Sequence, residues 1–405
     1  MKILLVRRNL MLFDNEKIDF SIEEKEVARI DDEAINRKYV AGEVRIVTEQ
    51  ARYPLDTITV MIDSGKYELN PDFQRRRRWS DEKKSKLIES FIMNVPIPPI
   101  FLYENEFSHY EVMDGLQRLT TIYDFYNNKY KLIGLNLWEE LNGRYYFELP
   151  EKVKKGIDRR YISSIILLQE SAKTEEEARK MKQLVFERIN SGGVKLEPQE
   201  TRNALIDGKM NQLCIELSEN EYLCYFLGIP PKRDEFEVER IANENYSKMV
   251  DVEYVLRFFA MRQLEGYAKR KLSDFFDYYL GLANHFDDQL LEKLKELFEN
   301  TLKLAYDIFG DSAFYMYRKR ETLNGDEKWN WFSRTTTTVY DPMMQVLSNL
   351  LPYKEILVNK KVDIQVEIKN FYKEKYELFE GRKNNKVDIE KRIFELKKFF
   401  ERYLE

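Results

Sequence analysis

Residues 110–121 read Tyr110-Glu111-Val112-Met113-Asp114-Gly115-Leu116-Gln117-Arg118-Leu119-Thr120-Thr121. Tyr110 to Met113 predicts a short strand, and Leu116, Leu119, Tyr123 and Tyr126 recur at helical spacing directly after Asp114-Gly115. A strand therefore ends at a carboxylate, a glycine lets the backbone turn tightly, and a helix opens with Gln117 and Arg118 in its first turn. Free N–H groups and the positive end of the helix dipole face an anion at such a place. Arg118 adds a planar, permanently charged fork suited to phosphate oxygens, and Asp114 suits a magnesium ion or an oriented water. Asp-Gly turns into polar helix starts are common, so the neighbouring sequence has to decide the reading.

Working outward, the pattern from about Leu55 to Asp207 alternates short β-like runs with amphipathic helices, as an α/β unit does. Upstream, Tyr67 to Leu69 reads as a strand. Ser80, Asp81 and Glu82 supply an N-cap and acidic first turn for a helix with apolar Leu87, Ile88, Phe91 and Ile92, ended by Pro96, Pro98 and Pro99. Ile100 to Tyr103 is a further strand. Downstream come a strand over Tyr161 to Leu168, a helix from Thr174 to Asn190, the loop Ser191-Gly192-Gly193 and a helix from Pro198 to Ile206. Beyond Gly208 the periodicity is helical to the C-terminus, as in Val255, Phe258, Phe259 and Arg262, or Leu290, Leu294, Leu297 and Leu302. Met1 to Phe13 reads as a strand within a leader. The expected organisation is a leader over residues 1–50, an α/β domain over 51–208 and an α-helical domain over 209–405.

Composition narrows the function. Lys plus Arg (66) nearly balance Asp plus Glu (71), giving a net charge of -5, so any DNA contact must be local. No apolar stretch is long enough to span a bilayer. Cys214 and Cys224 have no second pair to complete a zinc or disulfide framework, which fits a reducing, cytoplasmic setting. His109 and His285 are the only histidines, too few for an HNH-type nuclease or a multi-histidine metal centre.

The window does not stand alone. Upstream lie Leu69-Asn70-Pro71-Asp72-Phe73-Gln74-Arg75, Trp79, Leu87-Ile88-Glu89-Ser90 and Pro96-Ile97-Pro98-Pro99-Ile100; downstream lie Phe186-Glu187-Arg188-Ile189-Asn190-Ser191-Gly192-Gly193, Leu196 and Glu200. This ordered set resembles the N-terminal domain family of the GmrSD modification-dependent restriction enzymes. The resemblance implies a ParB/sulfiredoxin-like α/β domain followed by a mostly α-helical domain, with the Asp-Gly-x-Gln-Arg box in the place of ParB's phosphate-binding box. It also implies nucleoside-triphosphate binding or hydrolysis with Mg2+ in bacterial defence. Asp114, Gln117 and Arg118 then fall in the catalytic role, with Asp114 on the metal. Gln74, Arg75, Gly115, Arg118, Thr120, Thr121 and Asn190 fall around the nucleotide. Leu116 stands where many members carry Gln, which removes one polar contact and favours binding over hydrolysis.

Other clusters compete for attention. Arg76, Arg77 and Arg78 beside Trp79, and Arg318 and Arg320 near Trp329, Trp331 and Arg334, are candidate DNA contacts. For the second cluster, core tryptophans and a threonine loop are the preferred reading. Asp363, Glu367 and Lys369 superficially match a metal-dependent nuclease, but Ile364, Ile368 and Phe371 have helical spacing and no strand pair frames them. His109 reads as a surface-loop residue and His285 as a helix-face residue. The expected function is a nucleotide-binding component of a prokaryotic DNA-defence system, with DNA and a separate nuclease or defence subunit as partners. The alternative is a non-catalytic DNA-binding or partner-binding adaptor with a degenerate nucleotide pocket.

Overall fold

Ser80 starts the first long helix as the sequence indicates: its side chain accepts the Lys83 N–H at 3.4 Å, with Asp81 and Glu82 in the first turn. This is a computed structural model, and it describes residues 12–20, 32–41, 46–69, 79–168, 175–190, 197–267, 271–321, 327–380 and 385–404. The chain divides into two units, Glu23–Leu196 and a second that joins Met1–Ile22 to Glu197–Glu405.

The first unit contains α1 (Asp32–Ala41), β1 (Thr48–Pro54), α2 (Thr57–Asp63), β2 (Tyr67–Glu68), α3 (Asp81–Ile92), β3 (Ile100–Glu106), β4 (His109–Asp114), α4 (Leu116–Tyr126), α5 (Glu151–Asp158), β5 (Tyr161–Leu167) and α6 (Glu175–Asn190). The strands form one mixed sheet in the order β1-β5-β3-β4-β2. β1 runs antiparallel to β5 and β3 antiparallel to β4, while β5 pairs β3 and β2 pairs β4 in parallel. Alternation sends Ile100, Leu102, Val112, Ile162 and Ile166 into one core with Ile58 of α2, Leu87, Ile88 and Phe91 of α3, and Leu119, Ile122 and Phe125 of α4. Glu89, in the Leu-Ile-Glu-Ser segment, is buried and its Oε1 accepts the N–H groups of Asn136, Leu137 and Trp138 at 3.1, 2.8 and 3.1 Å. Its role is to pin that loop, and the three bonds account for a carboxylate under the surface.

Gly115 joins β4 to α4 with φ 97° and ψ 9°, in the left-handed region. A Cβ built there would lie 2.4 Å from Ile100 Cγ2 and 3.0 Å from Arg118 Nη2. Glycine is therefore required twice, by its dihedrals and by the close approach of β3.

One strand is an addition to the sequence reading, and one expected strand lies almost wholly outside the described residues. β1 was not foreseen, because Thr48-Glu49-Gln50-Ala51-Arg52-Tyr53-Pro54 is polar and mostly exposed. The strand expected over Met1 to Phe13 lies outside the described residues except for Leu12 and Phe13, which belong to no strand.

The second unit contains α7 (Pro198–Leu205), α8 (Lys209–Leu217), α9 (Glu221–Leu227), α10 (Glu237–Ala242), α11 (Glu244–Ser247), α12 (Val250–Met261), α13 (Leu272–Ala283) and α14 (Asp288–Phe309). After them come β6 (Met316–Glu321), β7 (Glu327–Phe332), α15 (Thr337–Leu350), α16 (Lys354–Asn359), α17 (Lys361–Glu374), α18 (Tyr376–Phe379) and α19 (Lys386–Glu401). The helical reading of this half holds with one addition, the antiparallel β6–β7 hairpin. α12 buries Val255, Phe258 and Phe259, and two arginines, one in the helix and one at its C-cap, are also buried. Arg257 forks onto Asp341, Nε to Oδ1 at 2.9 Å and Nη2 to Oδ2. Arg262, just past the helix end, forks onto Glu16 at 2.6 and 2.7 Å, which ties the segment 12–20 to this core. Arg202 of α7 joins Asp277 at 2.6 Å and Glu253 at 3.3 Å.

Ile364, Ile368 and Phe371 are buried on α17, so Asp363, Glu367 and Lys369 belong to a helix and not to a strand-framed site. His285 is exposed in the turn between α13 and α14 rather than on a helix face. Thr335 precedes α15 and donates to the Phe226 carbonyl at 2.6 Å, whereas Thr337 and Thr338 lie inside the helix. Burial pushes the thiols of Cys214 and Cys224 up, the latter to about 11, so both stay protonated near neutral pH. Among the described residues no helix is long and apolar enough to cross a membrane.

Three substitutions test these contacts. Asp341→Ala removes the bidentate partner of the buried Arg257, leaving only the longer 3.6 Å pair with Glu253, and is expected to cost about 3 kcal/mol in denaturant titration. Asp307→Ala, which breaks the more exposed pair with Lys303, is expected to cost about 1 kcal/mol or less. Gly115→Ala is expected to lose about 2 kcal/mol or more from left-handed strain and the clash. Its cost should be smaller in an Ile100→Ala background, where Cγ2 is gone; equal costs in both backgrounds would refute the steric account.

Candidate functional site at a strand-to-helix turn

The β4–Gly115–α4 turn assembles three of the residues that the sequence singled out. Arg118, one turn into α4, reaches back so that Nη2 donates to Asp114 Oδ2 at 2.7 Å and to the Pro99 carbonyl at 3.1 Å. This is an i,i+4 pair whose two side chains keep 15% and 40% of their exposure, respectively, so the arginine is mostly covered and the carboxylate faces solvent in part. Arg118 Nε is buried with no hydrogen-bond partner. Gln117 turns the other way: its Oε1 accepts the Trp79 N–H at 3.1 Å. Lys83 lies with its ammonium 4.6 Å from the centre of the Trp79 ring.

Nothing from the side chain at the N-cap position closes the start of α4, since that position is Gly115. An α-helix has no internal partners for its first N–H groups, and its dipole is positive at that end. The turn thus combines backbone donors, a guanidinium and a carboxylate in the space of five residues.

The remaining expected residues are distributed as follows. Thr120 is half-buried on α4. Thr121 is fully buried, and its hydroxyl donates to the Gln117 carbonyl at 2.6 Å, so it is occupied inside its own helix. Gln74, Arg75, Arg76, Arg77 and Arg78 lie outside the described residues. Asn190 ends α6, and its side chain is likewise outside the description. Arg318 and Arg320 belong to β6, in the other unit. His109 is exposed at the start of β4, its Nδ1 3.2 Å from the Phe107 carbonyl.

Three contributions were not read from the sequence: the Pro99 carbonyl, Lys83, and Lys182 of α6, which holds both Glu111 oxygens at 2.7 and 2.6 Å. The Asp114–Arg118 pair was accessible from its four-residue spacing. The Lys182–Glu111 pair, 71 residues apart, had no local signal.

A phosphate fits this turn. Gly115 lets the backbone come close, and the orphaned Arg118 Nε shows that the guanidinium is not fully satisfied by protein. A protein-caged metal fits less well. Among the described residues no group of three or more His, Cys, Asp or Glu side chains converges, and one Asp114 oxygen is already held by Arg118. Magnesium fits here only as a companion of phosphate oxygens, with Asp114 as its protein ligand.

No curated protein and no solved structure matches the chain. Residues 58–206 match the family model described as GmrSD restriction endonuclease, N-terminal domain. The match runs from α2 past the end of α7 and contains the whole β4–Gly115–α4 turn. The order of the boxes in the sequence and this match agree: residues 58–206 are a domain of the GmrSD restriction endonuclease N-terminal type.

Proposed function

We propose that the chain is a nucleotide-binding component of a prokaryotic restriction or anti-phage system, whose ParB/sulfiredoxin-like domain takes a nucleoside triphosphate at the Gly115 turn. The observation that carries this reading is the uncapped start of α4 with the Arg118 guanidinium beside it. Helix N-termini with an adjacent arginine are suited to phosphate by both dipole and charge. The family supports the restriction context, with DNA or a separate nuclease subunit as the further partner.

In this reading Arg118 exchanges the Asp114 carboxylate for a phosphate oxygen. The magnitudes favour the exchange. An ion pair with a carboxylate this exposed is worth about 1 kcal/mol or less, whereas a charge-assisted bond to phosphate contributes about 1.5–3 kcal/mol. Asp114, once released, is free to hold magnesium or to orient water, while Gln117 keeps the helix start tied to Trp79. Gln74, Arg75 and the Asn190 loop supply the remaining contacts. Thr121 stays in its helix.

A second reading, an adaptor with a degenerate pocket, is favoured by the Asp114–Arg118 pair itself, which brings the two opposite charges together without any ligand and leaves Arg118 Nε unbonded. Isothermal titration separates the two. Arg118→Ala, checked for folding, is expected to lose triphosphate binding; unchanged affinity would move the site elsewhere. Asp114→Asn is expected to keep or tighten affinity, because Arg118 is no longer held, while magnesium-dependent phosphate release falls steeply. Equal turnover in Asp114→Asn and wild type would assign Asp114 to the turn alone. Wild-type protein that binds triphosphate but releases no phosphate, with or without DNA, would leave a nucleotide-sensing switch.

A further inference from the structure

The β6–β7 hairpin lies outside the matched domain and has two unlike faces. Its register pairs Tyr317 with Trp331, Lys319 with Trp329 and Arg318 with Asn330. The aromatic face is anchored: Trp331 meets the buried Tyr372 ring at 6.2 Å and Trp329 meets Tyr376 at 5.3 Å, both from the α17–α18 region. Tyr317 packs on Trp331 at 5.1 Å, which locks the two strands to each other and to the helices beneath. The other face carries Arg318, Asn330 and Lys328 and runs from the buried Met316 at one end to exposed residues toward the other. Lys328 and Asn330 are exposed, and the Arg318 guanidinium lies 3.7 Å from the centre of the Phe332 ring, which holds its fork in place. The described basic side chains of this face are Arg318 and Lys328, while Lys319 shares the aromatic face with Trp329.

We propose that this outward face of β6–β7 is a docking surface for duplex DNA, laid into the major groove. A two-stranded ribbon has the width that the B-form major groove admits, about 12 Å, and strands of six residues run about 20 Å along it. Charge complementarity selects a polyanion, and a rigidly backed ribbon selects a groove over a flexible strand. Lys328 serves the phosphate backbone. Arg318 and Asn330, opposite each other in register, are the residue types that recognise purine edges. The surface is independent of the nucleotide reading, since it uses no residue of the Gly115 turn.

The test is fluorescence anisotropy of the full chain with a labelled DNA duplex of roughly two helical turns, titrated between about 50 and 200 mM salt. Wild type is expected to bind with a marked salt dependence. Lys328→Ala should weaken binding severalfold and lower the salt slope by about one, and Lys328→Glu should weaken it at least tenfold. Lys354→Glu, an exposed site on α16, should change it less than twofold. Arg318→Gln is expected to follow Lys328→Ala; if it unfolds, the exposed Lys328 carries the test alone. Arg118→Ala must retain DNA binding, so that failure of the nucleotide site and failure of this surface are read from different variants. No salt-dependent binding by folded wild type, Lys328→Glu binding like wild type, or tighter hairpin-dependent binding to an RNA duplex would each overturn the proposal.

Discussion

Gly115 is the constraint on which the sheet-to-helix geometry rests. Its left-handed dihedrals turn the chain from β4 into α4 in one residue, and its missing side chain lets that turn press against Ile100 of β3. The register of the β3–β4 hairpin shifts between Phe101 and Leu102, at the end where Phe101 faces Asp114. With α4 launched from this point, Leu119, Ile122 and Phe125 enter the core and Arg118 comes back over both Asp114 and the Pro99 carbonyl. Any larger residue at 115 would have to move β3, α4 or both.

The second unit solves a different problem, that of placing arginines in a helical core. Arg257, Arg262 and Arg202 are almost fully buried, and each is answered by carboxylates at hydrogen-bond geometry. Such pairs gain little over apolar packing, but they penalise every arrangement in which one partner is missing. That makes them fasteners of register: Glu16 fixes the segment before the first unit, Asp341 fixes α15 on α12, and Asp277 with Glu253 fixes α7. The contrast with Asp114–Arg118 is informative. There the carboxylate is partly in solvent, so the pair is weak and exchangeable.

Much of the first unit was legible because its elements announce themselves locally. The Ser80 cap, the helical spacing of Leu87, Ile88 and Phe91, and the apolar runs of β3, β4 and β5 all act through neighbours in sequence. β1 escaped because its residues are polar and its strand character comes from pairing with β5, more than one hundred positions away as in the Ala51–Ser164 register. The β6–β7 hairpin escaped for a related reason. Met-Tyr-Arg-Lys-Arg-Glu carries a helical composition, and the cross-strand aromatics that make it a ribbon become visible only in register. At the site, residue types were readable but bonding was not: Thr121 has the right spacing to reach the turn, yet its hydroxyl goes to the Gln117 carbonyl four residues back.

If the Gly115 turn receives phosphate, nucleotides must stabilise the folded chain. The most direct test is thermal unfolding of the wild-type chain with each nucleoside triphosphate, with and without magnesium. A ligand at about one hundred times its dissociation constant stabilises the native state by about 2.7 kcal/mol. A phosphate-binding turn predicts a melting temperature that rises with triphosphate concentration for at least one base, and rises further with magnesium. A melting temperature unchanged by every triphosphate, in both conditions, would contradict it.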